Sequence, residues 1–208
     1  MSISIRVIKK DEQVTTAWSG GTTTQLAIYP EDADYSKRDF MWRISSAQIH
    51  DEQSLFTCLP DYWRQLMVIR GDVILEFEGS HRVALKPFEQ ASFSGGWVTR
   101  SVGKITDFNL MTAAGCRGEL EALSIDKGTS HEVACGGDVG GALQGTEAFY
   151  CTEGRVMLSV NGDESLSLEE CDLILINWRN SDQHVKIKIH NSQGETTAHL
   201  IRASMMTG

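Results

Sequence analysis

One stretch of this 208-residue chain, Pro60 to Phe93 (PDYWRQLMVIRGDVILEFEGSHRVALKPFEQASF), occurs in outline twice. β-branched and aromatic runs bounded by glycines signal strands and turns. Arg64 to Ile69 reads as a strand, Gly71 as a turn, Val73 to Phe77 as a strand and Gly79 as a turn, with a third strand after Leu85. Displaced by 83 positions, Gly71, Val73, Leu75, Gly79 and Leu85 fall on Gly154, Val156, Leu158, Gly162 and Leu168 without a gap. Glu89 falls on Asp172, and Ala91 to Phe93 fall on Ile174 to Ile176. Turn glycines and the apolar residues between them, repeating together, predict one supersecondary unit built twice. Helix-period patterns are scarce; the best, Glu119 to Leu123, is too short to count. The expected fold class is all-β, a pair of small barrels or jelly rolls.

Charge narrows the partners. With 19 basic and 28 acidic residues the chain carries a formal net charge of -9 and shows no basic stripe, which argues against nucleic acid and against anionic membranes. No apolar run is long enough to span a bilayer. The N-terminal MSISIRVIKK alternates Ile3, Ile5 and Val7 with polar residues, a strand pattern without a signal peptide's apolar core. Five scattered cysteines (58, 116, 135, 151 and 171) with no C-x-x-C suit reduced, mostly buried thiols in a cytoplasm.

Along the chain, Trp18-Ser19-Gly20-Gly21 opens a strand with Thr23, Gln25 and Ala27 on one face and Thr24, Leu26 and Ile28 on the other. Because a strand follows rather than a helix N-terminus, the glycine pair is not read as a phosphate loop. Residues 30 to 39 form a polar loop. Phe40 to Ile49 reads as a buried strand with Arg43, Ser45, Ala47 and Ile49 on one face. A buried guanidinium needs an anion, so Arg43 either pairs with an internal carboxylate or faces a pocket where a ligand supplies one. A two-residue turn at Gly103-Lys104 would set Arg100 opposite Asp107 and Val98 opposite Asn109, offering Asp107 a cross-strand partner. Residues 112 to 145, with the run CGGDVGGALQG at their end, read as a bent or mobile joint. Val185 to Ile189, a Gln193-Gly194 turn and Ala198 to Ile201 close the second unit.

Cupin-type barrels announce a metal by H-x-H, a following Glu, a glycine about seven residues later and a last His. Counted back from Gly71, the Glu position holds Arg64, and the histidine positions fall near Cys58 and Pro60. An arginine there inverts the sign and suits a carboxylate held bidentately. In the second repeat the position holds Glu147, but Leu143 and Gly145 replace the histidines, leaving only the region of Asp182 to His184 for a late ligand. No metal and no cofactor are expected, and neither a G-x-S-x-G elbow nor an H-E-x-x-H occurs.

Several separated segments resemble the HutD/Ves family of bacterial bicupins: Trp18-Ser-Gly-Gly-Thr-Thr-Thr-Gln, Phe40-Met-Trp-Arg-Ile-Ser-Ser-Ala, Phe56 with Pro60 and Arg64, Leu85-Lys-Pro-Phe, and Asp107-Phe-Asn-Leu-Met-Thr. They lie in the first 112 or so residues; the second half resembles the family mainly through the repeat. The resemblance implies two RmlC-like β-barrel or jelly-roll units packed as one compact chain. The first barrel would span about 14–118, a glycine-rich joint about 128–145 and the second barrel about 146–205. It also implies a cytoplasmic protein associated in many members with histidine utilisation, with a binding or regulatory role towards a small acid such as N-formylglutamate. No reaction is established across the family. The family's paired arginines correspond to Arg43 and Arg64, its turn to Gly21 and Thr23, and its D-F-N to Asp107 and Asn109. Two positions depart from the pattern: Asp61 replaces the usual glycine before Arg64 and could pair with it, and Ala113 follows Thr112 where arginine is frequent.

Three readings follow. In the first, Arg43 and Arg64 hold a small carboxylate, N-formylglutamate or urocanate, with Ser45, Thr23, Asp107 and Asn109 as further polar contacts and Phe56 and Trp18 as walls. In the second, a cupin-type isomerase, hydrolase or metal-dependent enzyme acts on a small acid with Asp107 or Glu147 as base. In the third, the second barrel's sheet makes a homodimer, which no motif can announce.

Overall fold

The computed structural model describes residues 3–136, 144–163, 165–179, 184–192 and 196–208. The chain begins with β1 (Ser4–Ile8), a 3-10 turn at Lys10–Glu12, β2 (Val14–Trp18), β3 (Gly21–Tyr29), β4 (Trp42–Ile49) and β5 (Gln53–Leu55). It continues through β6 (Tyr62–Arg70), β7 (Val73–Phe77), β8 (Arg82–Leu85), β9 (Gln90–Ser94), β10 (Thr99–Val102) and β11 (Thr106–Ala113). Then follow β12 (Cys116–Ile125), β13 (Ser130–Gly136), β14 (Gln144–Glu153), β15 (Arg155–Val160), β16 (Leu166–Glu169), β17 (Leu173–Arg179), β18 (His184–His190) and β19 (Ala198–Thr207). No α-helix occurs among the described residues, so the fold is all-β. Two compact units result: Gln13–Gly118, and a second made of Met1–Glu12 with Glu119–Gly208.

In the first unit a six-stranded sheet, β2-β3-β4-β11-β6-β9, accompanies a four-stranded sheet, β5-β10-β7-β8. Alternation sets what each strand buries: in β7, Val73, Leu75 and Phe77 are buried while Ile74 is exposed. These residues join Ile49, Leu66, Val68, Leu85, Phe93 and Ile105 in one apolar cluster. In the second unit a five-stranded sheet, β1-β17-β14-β19-β12, accompanies β13-β18-β15-β16, around a core that includes Phe149, Leu158, Leu168, Ile174, Ile176 and Leu200.

The repeat is visible in topology and in detail. The order β4-β11-β6-β9 recurs as β12-β19-β14-β17, and β5-β10-β7-β8 recurs as β13-β18-β15-β16. Gly71 and Gly154 take φ +83° and +86°, and Gly79 and Gly162 take +71° and +84°, which favours glycine at both turns. Phe88 and Cys171, 83 positions apart, are both left-handed, at φ 66° and 72°. Their N–H groups donate to the Val68 and Cys151 carbonyls at 2.7 and 2.8 Å, the same bond in both halves. Glu89 and Asp172 also match: each carboxylate accepts the backbone N–H three residues before it, of Lys86 at 2.8 Å and of Glu169 at 3.1 Å.

Several expectations need correction. Gly103-Lys104 does not close a hairpin, because β10 pairs with β5 and β7 while β11 pairs with β4 and β6; Arg100 faces Leu55 and Glu76, and Asp107 faces Ala47 and Val68. The alternation of β3 breaks at a bulge between Gln25 and Ala27, which leaves Thr23 and Gln25 beside Ala47 and Ser45 but moves Ala27 beside Ile44. Within the expected joint, Ser130–Gly136 is a strand, paired with β18 over its whole length, and Glu119 to Leu123 lies in β12. The N-terminal strand joins the second unit, pairing Ile5 with Ile176 and Val7 with Ile174, and Lys9 Nζ donates to Asp172 Oδ2 at 2.7 Å. Cys58 is exposed rather than buried, while Cys135 and Cys151 are buried. Leu143, the central glycines of residues 137–143, Asp182 and the Gln193-Gly194 turn lie outside the described residues.

Candidate functional site

Three neighbouring strands, β4, β11 and β6, build the floor of a cavity in the first unit. Their register sets Arg43, Met111 and Arg64 in one row, Ser45, Asn109 and Leu66 in the next, and Ala47, Asp107 and Val68 in the third. Facing residues in adjacent strands project to the same side of a sheet, so the charged and polar members of these rows line one space. That space has a volume of about 280 Å³, and Trp18, Thr23, Arg43, Ser45, Phe56, Arg64, Asp107 and Asn109 all line it, together with Tyr35, Leu55 and Met111. All eight residues expected from sequence are thus brought together. Gly21 acts behind the site: a Cβ there would lie 1.9 Å from the Gln48 carbonyl oxygen, so β3 can approach β4 only with glycine at this position.

The two arginines are buried, at 6% and 7% exposure, and neither forms an ion pair among the described residues. Arg43 is held by neutral groups: Nε donates to Gln25 Oε1 at 2.9 Å and Nη1 to Ser45 Oγ at 3.0 Å, and the guanidinium sits 4.3 Å from the centre of the Tyr35 ring. Arg64 stacks 4.8 Å from Phe56 and 5.4 Å from Phe93, and its buried Nε has no hydrogen-bond partner among the described residues. No carboxylate makes an ion-pair contact with either arginine among the described residues, and Asp107 reaches Arg64 only through its charge. Asp61, the departure from the family pattern, is exposed and lies outside the cavity lining.

Asp107 supplies the remaining charge. Burial pushes its carboxyl up to about 7, against the pull of the Arg64 charge and the Ala47 backbone N–H. Burial pulls Arg64 down to about 10, against the attraction of Asp107 and Tyr35 and helped by the Arg43 charge. Asp107 Oδ1 and Asn109 Oδ1 are buried without partners among the described residues. A buried polar atom left unpaired costs about 1–3 kcal/mol, and three such atoms belong to residues that line this one cavity. Sequence reasoning missed Tyr35 and Gln25 as site residues. Tyr35 comes from the polar loop, where a lone aromatic was the available signal, and Gln25 stays on the cavity side because the bulge follows it.

The corresponding position in the second unit is chemically different. Glu147 is 2% exposed and bonded at both oxygens: Arg202 Nε donates to Oε2 at 2.8 Å and Ser204 Oγ to Oε1 at 2.9 Å. Among the described residues no three His, Cys, Asp or Glu side chains converge as metal ligands.

The HutD family profile matches residues 10–197, nine-tenths of the chain. The protein belongs to the HutD family. A conserved protein of unknown function from Pseudomonas aeruginosa PAO1, PA5104, superposes with a TM-score of 0.80 at 20% identity, covering 97% of this chain and 98% of that one. HutD from Pseudomonas fluorescens SBW25 superposes at 0.70 with 21% identity over 99% and 100% of the two chains. The oxalate decarboxylase OxdC of Bacillus subtilis, at 5% identity, covers 95% of this chain and 76% of its own with a TM-score of 0.69. These likenesses show the fold, a cupin-like pair of jelly rolls. No curated protein matches at the sequence level. No helix among the described residues is long and apolar enough to cross a membrane.

Proposed function

We propose that the cavity of the first unit holds a small carboxylate metabolite between Arg43 and Arg64, and that this HutD-family protein is a non-catalytic binding or sensing component of histidine utilisation in the cytoplasm. The observation that carries the reading is Arg64: a 7%-exposed guanidinium with, among the described residues, no ion pair and no partner for its Nε, beside a second buried arginine. Two desolvated cations in one cavity favour an anion, and a planar carboxylate matches the guanidinium fork. The unpartnered oxygens of Asn109 and Asp107 accept hydrogen bonds, which a ligand N–H would satisfy. N-formylglutamate and urocanate each carry both a carboxylate and an N–H.

One observation favours an enzymatic alternative. Asp107, pushed up to about 7 in the same cavity, has the proton affinity of a general acid–base group working near neutral pH. Thermal denaturation with each acid, followed by calorimetric titration, separates the readings, because a ligand that binds only the folded state raises the midpoint. The binding reading expects saturable binding without turnover, weakened by about 1.5–3 kcal/mol in Arg64→Met, the worth of one hydrogen bond to a charged group. Consumption of either acid that Asp107→Asn abolishes would replace it with the enzyme. Unaltered affinity in both Arg43→Met and Arg64→Met would remove the arginines from the site.

A further inference from the structure

A second cavity, of about 330 Å³, lies within the other unit and is lined by residues of β12, β13, β14, β17 and β19. It occupies the repeat-related place. The 83-position displacement carries Arg64 onto Glu147. Strand pairing extends the match: Met111 opposite Arg64 becomes Ser204 opposite Glu147, and Asn109 opposite Leu66 becomes Arg202 opposite Phe149. The sign of the site is thereby inverted. Three carboxylates, of Glu119, Glu121 and Glu147, line it with one guanidinium, that of Arg202.

Internal bonds use only part of this polar lining. Arg202 spends Nε on Glu147 at 2.8 Å and Nη1 on Glu121 at 3.0 Å, and Ser204 completes Glu147. The exposed Glu119 carboxylate makes no hydrogen bond or ion pair among the described residues, and one oxygen of the half-exposed Glu121 stays unused. A donor is also left over: Trp178, only 2% exposed, lines the cavity, and its buried indole N–H has no partner among the described residues. Its ring lies against the bare backbone of Gly145, where a Cβ would come within 2.2 Å of it. The exposed carboxylates are open to a ligand from solvent, and the indole donor is not explained by the buried Arg202–Glu147 pair, since an unpaired buried N–H is destabilising.

We propose that this second cavity binds a small organic ammonium ligand carrying a neutral hydrogen-bond acceptor beside its charge. The ammonium is taken by Glu119 and Glu121, and the acceptor by the Trp178 N–H. The excess of carboxylates over guanidinium disfavours an anion. A bare metal ion is disfavoured because no three ligands converge among the described residues, whereas Zn²⁺ and Ca²⁺ sites need that many or more.

The test is calorimetric titration of the full chain at pH 7 with ethanolamine and with glycinamide, each an ammonium beside a neutral oxygen, against acetate and Zn²⁺. Saturable binding of at least one amine is expected, weakened about tenfold by Glu119→Gln/Glu121→Gln and about fivefold by Trp178→Phe, which keeps the ring and deletes the donor. Arg64→Met, in the other unit, leaves it unchanged. Thermal midpoints confirm that each variant is folded. Tighter binding of acetate or Zn²⁺ through these residues, amine binding indifferent to both changes, or no saturable binding of either amine would overturn the proposal.

Discussion

Replacing Asp107 with asparagine keeps the shape of the side chain and removes its titration. In the unfolded chain this carboxyl ionises near its ordinary value of 3.8, and in the folded protein near 7. Between those pH values the native state holds a proton that the unfolded state has lost, so raising the pH favours unfolding. The whole span corresponds to about 4 kcal/mol, at 1.36 kcal/mol for each tenfold change in proton affinity. Asp107 is fully buried, so solvent screening does not shrink this figure as it would for a surface group. Relative to the parent, Asp107→Asn should therefore gain stability steadily from pH 4 to pH 7, by up to about 4 kcal/mol, and then hold that gain. Arg64 does not confuse the comparison, because its own titration near 10 lies above this window. Urea denaturation followed by tryptophan fluorescence between pH 4.5 and 8 measures the difference. A difference that stays flat within about 1 kcal/mol, or falls with pH, would refute the idea that Asp107 is folded in as a costly carboxylate.

Other expectations follow from the same contacts. A carboxylate ligand beside Asp107 raises its proton affinity further, so binding above pH 7 should take up a proton and weaken by up to about tenfold per pH unit; titrations in phosphate and in Tris read the proton directly, and equal heats would contradict it. Gly21→Ala places a Cβ 1.9 Å from the Gln48 carbonyl oxygen and should cost at least about 2 kcal/mol, seen as a lower urea midpoint. Arg202→Met strands the 2%-exposed Glu147 and should cost about 3–5 kcal/mol, most of it recovered when Glu147→Met is added; an uncoupled pair in that double-mutant cycle would contradict the ion-pair account.

Much of the architecture was legible along the chain because its cause is local. Val73, Leu75 and Phe77 alternate with polar or exposed neighbours, and Gly71 and Gly79 mark turns by a backbone conformation that other residues rarely adopt. The same marks recur 83 residues on and are enough to state the repeat. The site residues were legible in other ways: Arg43 by its place on a buried-looking strand, Arg64 by its distance from the repeated glycine turn, and Asp107 and Asn109 through the family resemblance. What failed was long range. Nothing near Gly103 announces that β10 and β11 part into different sheets, or that β1 crosses to β17. Nor does the polar loop announce that Tyr35 lies over Arg43. The charge state of the site was equally out of reach, because desolvation depends on what surrounds a group in space, not on its neighbours in sequence. Sequence determined the repeated strands and the identity of the two arginines. Tertiary structure decided that the arginines lie beside Asp107 without an ion-pair contact among the described residues, while the equivalent Glu147 is held by Arg202.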